Sequence, residues 1–290
     1  MKTSTMKTHK SDLAWKIIVT TAIVLFSASF LFVLVWMVMN SVRPQKAYFK
    51  RPYEFWDLKG ATFENYIAIF RKGRKKSDPT MFEMMKNSLI MIAGCTALQC
   101  VIPVITGYVL ARYKTKLGTV ATNLIIVSMV VPSIGATAST YAFMTAINLK
   151  NTWLGIFLMS AGGLGFGTLL YKNYFASISW EYAESAFLDG AGNLKVFFRT
   201  MYPQAIPLVV SMGILNVIGL WNDYMTPYLF LYNKPTVALG VYNIQILAEQ
   251  RDAMPQAFAA MTFMTVVVLV IYACFSKKIM TSMSVGGIKG

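Results

Sequence analysis

The residues whose types and spacing could do chemistry lie in one polar stretch, 172–203, between two long apolar runs. Glu181, Glu184 and Asp189 fall there within a few residues of one another, with Ser179 before them and Gly190 after. The spacing predicts two short helices joined by a turn. Ser179 is placed to cap the first, and Glu181 and Glu184 sit in its opening turn, where the helix dipole favours carboxylates. Ala183, Ala186 and Phe187 then share a face. Asp189-Gly190 ends the helix, because glycine adopts the left-handed conformation common at helix C-termini. Asn193 is placed to cap a second helix, in which Leu194, Phe197, Phe198 and Met201 recur at i, i+3, i+4 and i+7 before Pro203. An apolar helix carried on a polar loop either lies in a lipid interface or docks into a groove on a partner protein. The pattern alone does not choose between them.

Several other chemistries find no residues to perform them. His9 is the single histidine and sits in a polar tail, so imidazole acid/base and metal chemistry have no footing. Cys95, Cys100 and Cys274 are odd in number and embedded in apolar runs, which reads as buried small hydrophobes rather than a disulfide frame or metal site. No Gly-x-x-x-x-Gly-Lys-Ser/Thr loop exists to cradle phosphates. Gly162, Gly163, Gly165 and Gly167 follow no strand, so they predict close helix packing rather than a dinucleotide site.

The elements that must position the polar loop are helices in lipid. With 56% hydrophobic and 13% charged residues and a mean hydropathy of +0.52, the chain has more apolar side chain than one soluble core would bury. Its formal charge of +15 is spread between uncharged runs, as at membrane flanks, and does not line a nucleic-acid-binding surface. Crossing about 30 Å of hydrocarbon takes roughly 20 apolar residues in a helix. Segments 17–39, 89–111, 120–149, 152–171, 204–222 and 257–276 meet that requirement, predicting an all-α integral membrane protein with six transmembrane helices. The first is too long for a signal-peptide core and is expected to remain as an anchor. The third contains Pro132, Ser133 and Gly135, which predict a kink or an unwound stretch. The expected layout is a tail at 1–16, a six-span transmembrane domain at 17–275 and a second tail at 276–290.

Charge does not orient this layout. An even number of spans puts both termini on one side, and Lys2, Lys7, Lys10, Lys16, Lys277, Lys278 and Lys289 favour the cytoplasm. Yet the cluster Arg71, Lys72, Arg74, Lys75 and Lys76 in the first loop brings the 27 basic residues close to an even split.

Residue identities in the polar loop resolve both questions. Glu184-Ser185-Ala186, Gly190 and Pro203 resemble the EAA signature of ABC importer permeases, which runs Glu-Ala-Ala, three residues, Gly, nine residues, Ile-x-Leu-Pro. The intervals match throughout, while Ser185, Thr200 and Tyr202 replace the first Ala, the Ile and the Leu. Leu188-Asp189-Gly190-Ala191 is similar to the Ile-Asp-Gly-Ala of carbohydrate-importer permeases of the maltose-permease type. Thr62-Phe63-Glu64-Asn65-Tyr66, Asn87-Ser88-Leu89, Tyr108-Val109-Leu110-Ala111-Arg112, Trp221-Asn222-Asp223 and Gly287-Ile288-Lys289-Gly290 are further family-like pieces, in family order over nearly the whole chain.

The resemblance implies a multi-pass protein of the bacterial plasma membrane with a cytoplasmic EAA loop at 172–203 and both termini cytoplasmic. In that family the loop forms a coupling helix seated in a cleft of a cytoplasmic ATPase. It places Glu181, Glu184, Ser185, Ala186, Asp189, Gly190, Ala191 and Pro203 at the contact, and Lys289 in a regulatory tail. ATP and Mg would bind in two partner ATPases, leaving this chain no cofactor and no catalytic activity. A second, homologous permease would complete a heterodimer, and the segment 223–255 would meet an extracellular solute-binding protein. The substrate would be a carbohydrate, favouring an oligosaccharide. Gln99, Asn123 and Asn216 are polar groups inside spans, where burial without a partner is costly, so each pairs with another helix or faces a pathway. Tyr141 and Trp221 have faces that could stack on a sugar ring or anchor at the membrane interface, and Asn222 adjoins Trp221. The rival reading, an ion-coupled secondary transporter of a small polar solute, calls for charged residues within spans and paired inverted repeats, and neither is evident.

Overall fold

The computed structural model describes residues 10–54, 56, 58–71, 79–130, 135–162, 165–250 and 253–286, and among these no strand occurs. In chain order the helices are α1 (Lys10–Ser41), α2 (Gln45–Lys50), α3 (Glu64–Phe70), α4 (Met81–Arg112), α5 (Lys116–Val130), α6 (Ala136–Ala146), α7 (Trp153–Ser160) and α8 (Phe166–Ser177). There follow α9 (Glu181–Leu188), α10 (Asn193–Val196), a π-helical turn (Phe197–Met201), α11 (Tyr202–Asn222), α12 (Met225–Phe230), α13 (Val237–Gln250) and α14 (Met254–Gly286).

Among the described residues, four helical stretches are long and apolar enough to cross a membrane: Leu13–Ser41, Met81–Arg112, Asn193–Asn222 and Met254–Ser276. They contain the predicted first, second, fifth and sixth spans. The predicted third and fourth are each divided. α5 stops at Val130 and α6 starts after Gly135, whose φ of +83° is left-handed and cannot continue a right-handed helix. Pro132 and Ser133 lie outside the described residues. In the fourth segment α7 ends at Ser160 and α8 begins at Phe166, with Gly165 extended between them; Gly163 lies outside the described residues.

Close helix packing does not fall on Gly162, Gly165 or Gly167, three of the four glycines that the sequence suggested. A Cβ at Gly165 would meet nothing within 4 Å, and one at Gly167 would touch Pro103 only at an ordinary 3.7 Å. The close approach is at Gly107 of α4, where a Cβ would lie 2.7 Å from the Tyr171 Cβ and 2.9 Å from the Lys172 backbone nitrogen. A side chain there would push α4 and α8 apart. Gly162 and Gly165 instead sit where α7 gives way to α8.

The chain divides into two compact units. The first holds the described residues up to Arg71 together with Ile244–Phe263. Its α1 leaves its apolar surface bare, as a helix facing lipid does, and ends in a buried polar knot. The Asn65 amide donates to the Ser41 and Arg43 carbonyls at 2.8 and 2.9 Å, satisfying backbone acceptors that a helix end leaves orphaned. The Arg43 guanidinium donates to Asn40 Oδ1 (3.1 Å) and to the Arg51 carbonyl (2.8 Å). Tyr66 and Ser41 share a hydroxyl contact of 2.7 Å. The Thr62–Tyr66 piece is thus a clamp on the end of α1. Phe258 of α14 packs edge-on against Trp36 and tilted against Tyr48.

The second unit comprises Lys72–Asn243 and the residues from Met264 onward. α4 is its axis. A capping box opens it: Thr80 Oγ1 accepts from the Glu83 backbone N–H, and the Glu83 carboxylate accepts from the Thr80 N–H. The α4 Asn87 amide donates to the Pro235 carbonyl and Ser88 Oγ accepts from the Val237 N–H, which pins the segment after α12 to this end of α4. One core gathers Met91, Cys95, Met144, Ile156, Phe230 and Leu231. A second, built on Tyr108, Tyr171, Phe175, Phe197, Met201 and Ala205, lies towards the Arg112 end of α4. Cys95 is buried as expected and Cys100 half-buried, but Cys274 is exposed on α14, whose apolar flank needs no protein cover if it faces lipid.

Candidate functional site: a helical loop and a polar cavity

The stretch 172–203 folds as two helices and a turn. Trp180, not Ser179, is the residue that precedes α9, so the expected Ser179 cap is not formed, although Ser179 Oγ accepts from the Glu181 N–H at 3.3 Å; Glu181 and Glu184 occupy the first turn of α9, exposed and without an ion pair among the described residues. Ala183 is fully buried and Ala186 and Phe187 pack beside it, as their shared face predicted. At the other end Gly190 has φ +78°. Its N–H donates to the Phe187 carbonyl and the Ala191 N–H to the Ala186 carbonyl, both at 3.0 Å. These two bonds form a Schellman motif, which only a left-handed residue can close.

The second helix departs from its predicted face. Phe197 and Met201 are buried with Val196, whereas Leu194 is 75% and Phe198 57% exposed. For Phe198 the cause is the π-helical turn at Phe197–Met201, which the Tyr202 N–H closes onto the Phe197 carbonyl. Its i→i+5 bonding widens the turn beyond 3.6 residues and rotates later side chains off the α-helical stripe. Asn193 does not cap α10; Gly192 precedes the helix, and Asn193 Oδ1 instead accepts from the Tyr113 hydroxyl at 3.4 Å. Pro203 stands in the first turn of α11, where its missing N–H has no intrahelical partner to lose.

Residues flanking the two short helices hold the loop in place. Arg112, at the end of α4, donates to the Ile178 carbonyl at 2.8 Å and lies 4.8 Å over the Trp180 ring, which in turn packs against Phe187. Tyr108, one turn earlier, packs on Phe175 and Phe197. Tyr174 of α8 donates to the Gln204 carbonyl at 2.6 Å. None of these three was a predicted site residue, although Tyr108–Arg112 stood out as a motif, and a basic residue closing an apolar helix was the available signal. The outcome is a loop fastened on one face, with Glu181, Tyr182, Glu184, Leu188 and Asp189 turned outward. Leu188 is 89% exposed.

The predicted pathway residues separate. Gln99 and Asn216 come together on one cavity of about 370 Å³, alongside Ser160, Thr168 and Tyr171, at the break between α7 and α8. Both amides are half-buried, and neither has a hydrogen-bond partner among the described residues. Asn123 lines a different hollow of about 450 Å³, near Thr122 and Lys172. Tyr141 is engaged by its own chain: its hydroxyl accepts from Lys150 Nζ, and the same ammonium lies over its ring. Trp221 offers no free face for a sugar, because it is buried and its indole donates to the Met264 carbonyl at 3.2 Å. The Asn222 amide bonds back to Ile218 of its own helix, and Asp223 Oδ1 accepts from the Thr226 N–H. The Trp221–Asp223 piece therefore shapes a helix end and the turn after it. Lys289 lies outside the described residues.

Known proteins resemble this chain in sequence and in fold. The chain is 26% identical to the sulfoquinovosyl glycerol transport system permease protein SmoH of Agrobacterium fabrum, covering 90% of this chain and 89% of that one. It is 27% identical to the melibiose/raffinose/stachyose import permease protein MelC of Bacillus subtilis, over 70% and 75% of the two chains. A chain of a bacterial ABC transporter involved in the import of the acidic polysaccharide alginate superposes with a TM-score of 0.75 at 19% identity, covering 93% of this chain and 98% of that one. That likeness establishes a shared fold. The sequence model described as binding-protein-dependent transport system inner membrane component matches residues 103–281, well over half of the chain and all of the loop, and the protein belongs to that family of membrane permeases.

Proposed function

We propose that this chain is one translocating subunit of an ATP-driven carbohydrate importer, with α9 as the helix that receives the stroke of a cytoplasmic ATPase. The observation that carries this reading is the build of the loop. Its inner face is locked to the ends of α4, α8 and α11 through Arg112, Tyr108 and Tyr174. Its outer face presents carboxylates and bare apolar side chains with no partner among the described residues. A helix so held transmits a push to three spans at once, and an amphipathic outward face suits a groove on another protein. Glu181, Glu184, Ser185, Asp189 and the turn Gly190-Ala191 make the contact; Ala186 permits close approach and Pro203 sets the entry into α11.

On this reading residues 17–275 form the permease domain, the loop and both tails face the cytoplasm, and ATP hydrolysis belongs to two separate ATPase subunits. A second, homologous permease completes the pathway, and a solute-binding protein delivers the cargo from outside. The relatives' named cargoes support a sugar or oligosaccharide: sulfoquinovosyl glycerol, melibiose with raffinose and stachyose, and the acidic polysaccharide alginate. They differ in chemistry, so selection must reside in the walls of each pathway and in each binding protein.

The test is Glu184→Lys in the full complex of permeases, ATPases and binding protein. The variant should insert and reach the membrane in normal amount, yet lose cargo-stimulated ATP hydrolysis, because a cation replaces the carboxylate presented to the ATPase. Full stimulation in the variant would remove α9 from the coupling path.

A further inference from the structure

The hollow that Asn123 lines sits where two apolar segments meet water. Its walls come from the polar connection between α4 and α5 (Lys114, Thr115), from α5 (Thr119, Thr122, Asn123) and from α8 (Lys172). The apolar run 89–111 ends just before that connection and the run 120–149 begins just after it, which places the hollow at a membrane surface. Backbone packing sets Lys172 there. A Cβ at Gly107 would lie 2.9 Å from the Lys172 nitrogen, so this lysine leaves α8 at its close approach to α4.

The Lys172 ammonium is half-buried and has three hydrogens to give. One goes to Thr122 Oγ1 at 3.1 Å. The Thr122 hydroxyl is fixed in that role, because its own proton is donated to the Gly118 carbonyl at 2.8 Å. Among the described residues the ammonium has no second acceptor, and no carboxylate lies within ion-pair distance of it. A partly desolvated cation with two donors unmet calls for an anion. Lys114 adds a second positive charge to the same walls, and among the described residues no acidic side chain lines them. At about 450 Å³ the hollow lies in the range of small-molecule sites, about 300–1,000 Å³.

α5 carries this surface on from the hollow into the hydrocarbon layer. Thr119, Asn123, Ile126 and Val130 recur at i, i+4, i+7 and i+11 and so share one face, polar at the hollow and apolar beyond it. Ile126 and Val130 are exposed. Free inorganic phosphate has no use for such a stripe, whereas an acyl chain covers it. We propose that the hollow seats the phosphate of an anionic phospholipid, with Lys172 and Lys114 as its cations and an acyl chain laid along Ile126 and Val130. Basic hollows between membrane spans bind anionic lipid headgroups through such contacts. The inference goes beyond the importer reading, which decides only that the leaflet is the cytoplasmic one. Bound there, the lipid braces α4, α5 and α8 beside the point where Arg112 fastens the loop at Ile178.

The experiment titrates the complete purified complex in detergent with dioleoylphosphatidylglycerol and follows bound lipid by native mass spectrometry, with dioleoylphosphatidylcholine as the lipid of no net charge. Detergent removes the charged membrane surface, so only a lipid in contact counts. The unaltered complex should hold phosphatidylglycerol at least tenfold more tightly than phosphatidylcholine, and excess inorganic phosphate should not displace it. Lys172→Met should weaken phosphatidylglycerol binding by on the order of tenfold, the size of one charge-assisted hydrogen bond, and Lys172→Arg should keep it. Lys114→Gln, at an exposed side chain, should weaken it by about fivefold. Lys116→Met removes an equal charge from a residue that does not line the hollow and should change binding less than twofold, which separates a built site from diffuse attraction to a basic surface. Should Lys172→Met fail to assemble, the comparison of Lys114→Gln with Lys116→Met decides alone. Equal affinity for the two lipids, displacement by inorganic phosphate, unchanged binding in Lys114→Gln, or a loss in Lys116→Met as large as in Lys114→Gln would overturn the inference. The readout needs no ATP hydrolysis, so its failure leaves the importer reading standing, whereas absence of ATPase subunits from the purified complex would strike that reading and not this one.

Discussion

Gly190 offers the sharpest test of how the loop proposed to couple to an ATPase is built. It closes the C-terminus of α9 with φ +78°, and a Cβ placed there would meet nothing within 4 Å. Crowding is therefore removed from the argument, and only backbone preference remains. An L-residue in the left-handed region costs roughly 1–2 kcal/mol, less for Asn and more for a β-branched side chain. If the motif opens to escape that cost, the Gly190→Phe187 and Ala191→Ala186 bonds are lost and the chain between α9 and α10 changes direction. A penalty of 1–2 kcal/mol shifts the balance between closed and opened motif by a factor of about 5–30. Cargo-stimulated ATP hydrolysis by the reconstituted complex should consequently fall in the order Gly, Asn, Ala, Val at position 190. The amount of complex recovered should stay constant, because the position is exposed and packs against nothing. A Gly190→Val complex with wild-type stimulation would refute the claim that the left-handed closure orients the coupling surface. Equal losses for Asn and Val would show that lost contact with the ATPase, rather than backbone geometry, is responsible.

Two further outcomes follow from the same structure. Arg112→Met removes a charge-assisted hydrogen bond, about 1.5–3 kcal/mol, together with the contact over Trp180; amides across 178–188 should exchange with solvent faster than in the parent, and unchanged exchange would mean that Arg112 does not fasten the loop. Asn65→Leu leaves the buried Ser41 and Arg43 carbonyls without their donor, at about 1–3 kcal/mol each. It should lower the thermal midpoint of the purified protein in detergent, and an unshifted midpoint would sink the account of Thr62–Tyr66 as a structural clamp.

The parts of the site legible in the sequence are those governed by local backbone rules. The helix start near Glu181, the buried face of Ala183, Ala186 and Phe187, and the glycine stop at Gly190 each depend on residues within one or two turns, and each is found where spacing put it. The second half of the loop was misread because periodicity presumes 3.6 residues per turn, and the π-helical turn at Phe197–Met201 breaks that assumption for reasons of packing against Tyr108 and Phe175. Trp221 shows a different limit. An aromatic at the end of a span is compatible with a stacking platform and with a core residue, and only the Met264 carbonyl beneath its indole decides.

The sequence alone determined that this chain lives in lipid, that one polar loop carries its distinctive residues, and that the loop ends its first helix at Gly190, because hydropathy and backbone conformation are read residue by residue. Only the tertiary structure decided which polar groups share a space. Gln99, Tyr171 and Asn216 come from three helices far apart in sequence, and they meet because Gly107 lets α4 lie against α8 while the chain breaks before Phe166. No local pattern encodes that meeting; it follows from the geometry of helices packed together, which is also why Asn123 and Tyr141, equally plain in the sequence, ended elsewhere.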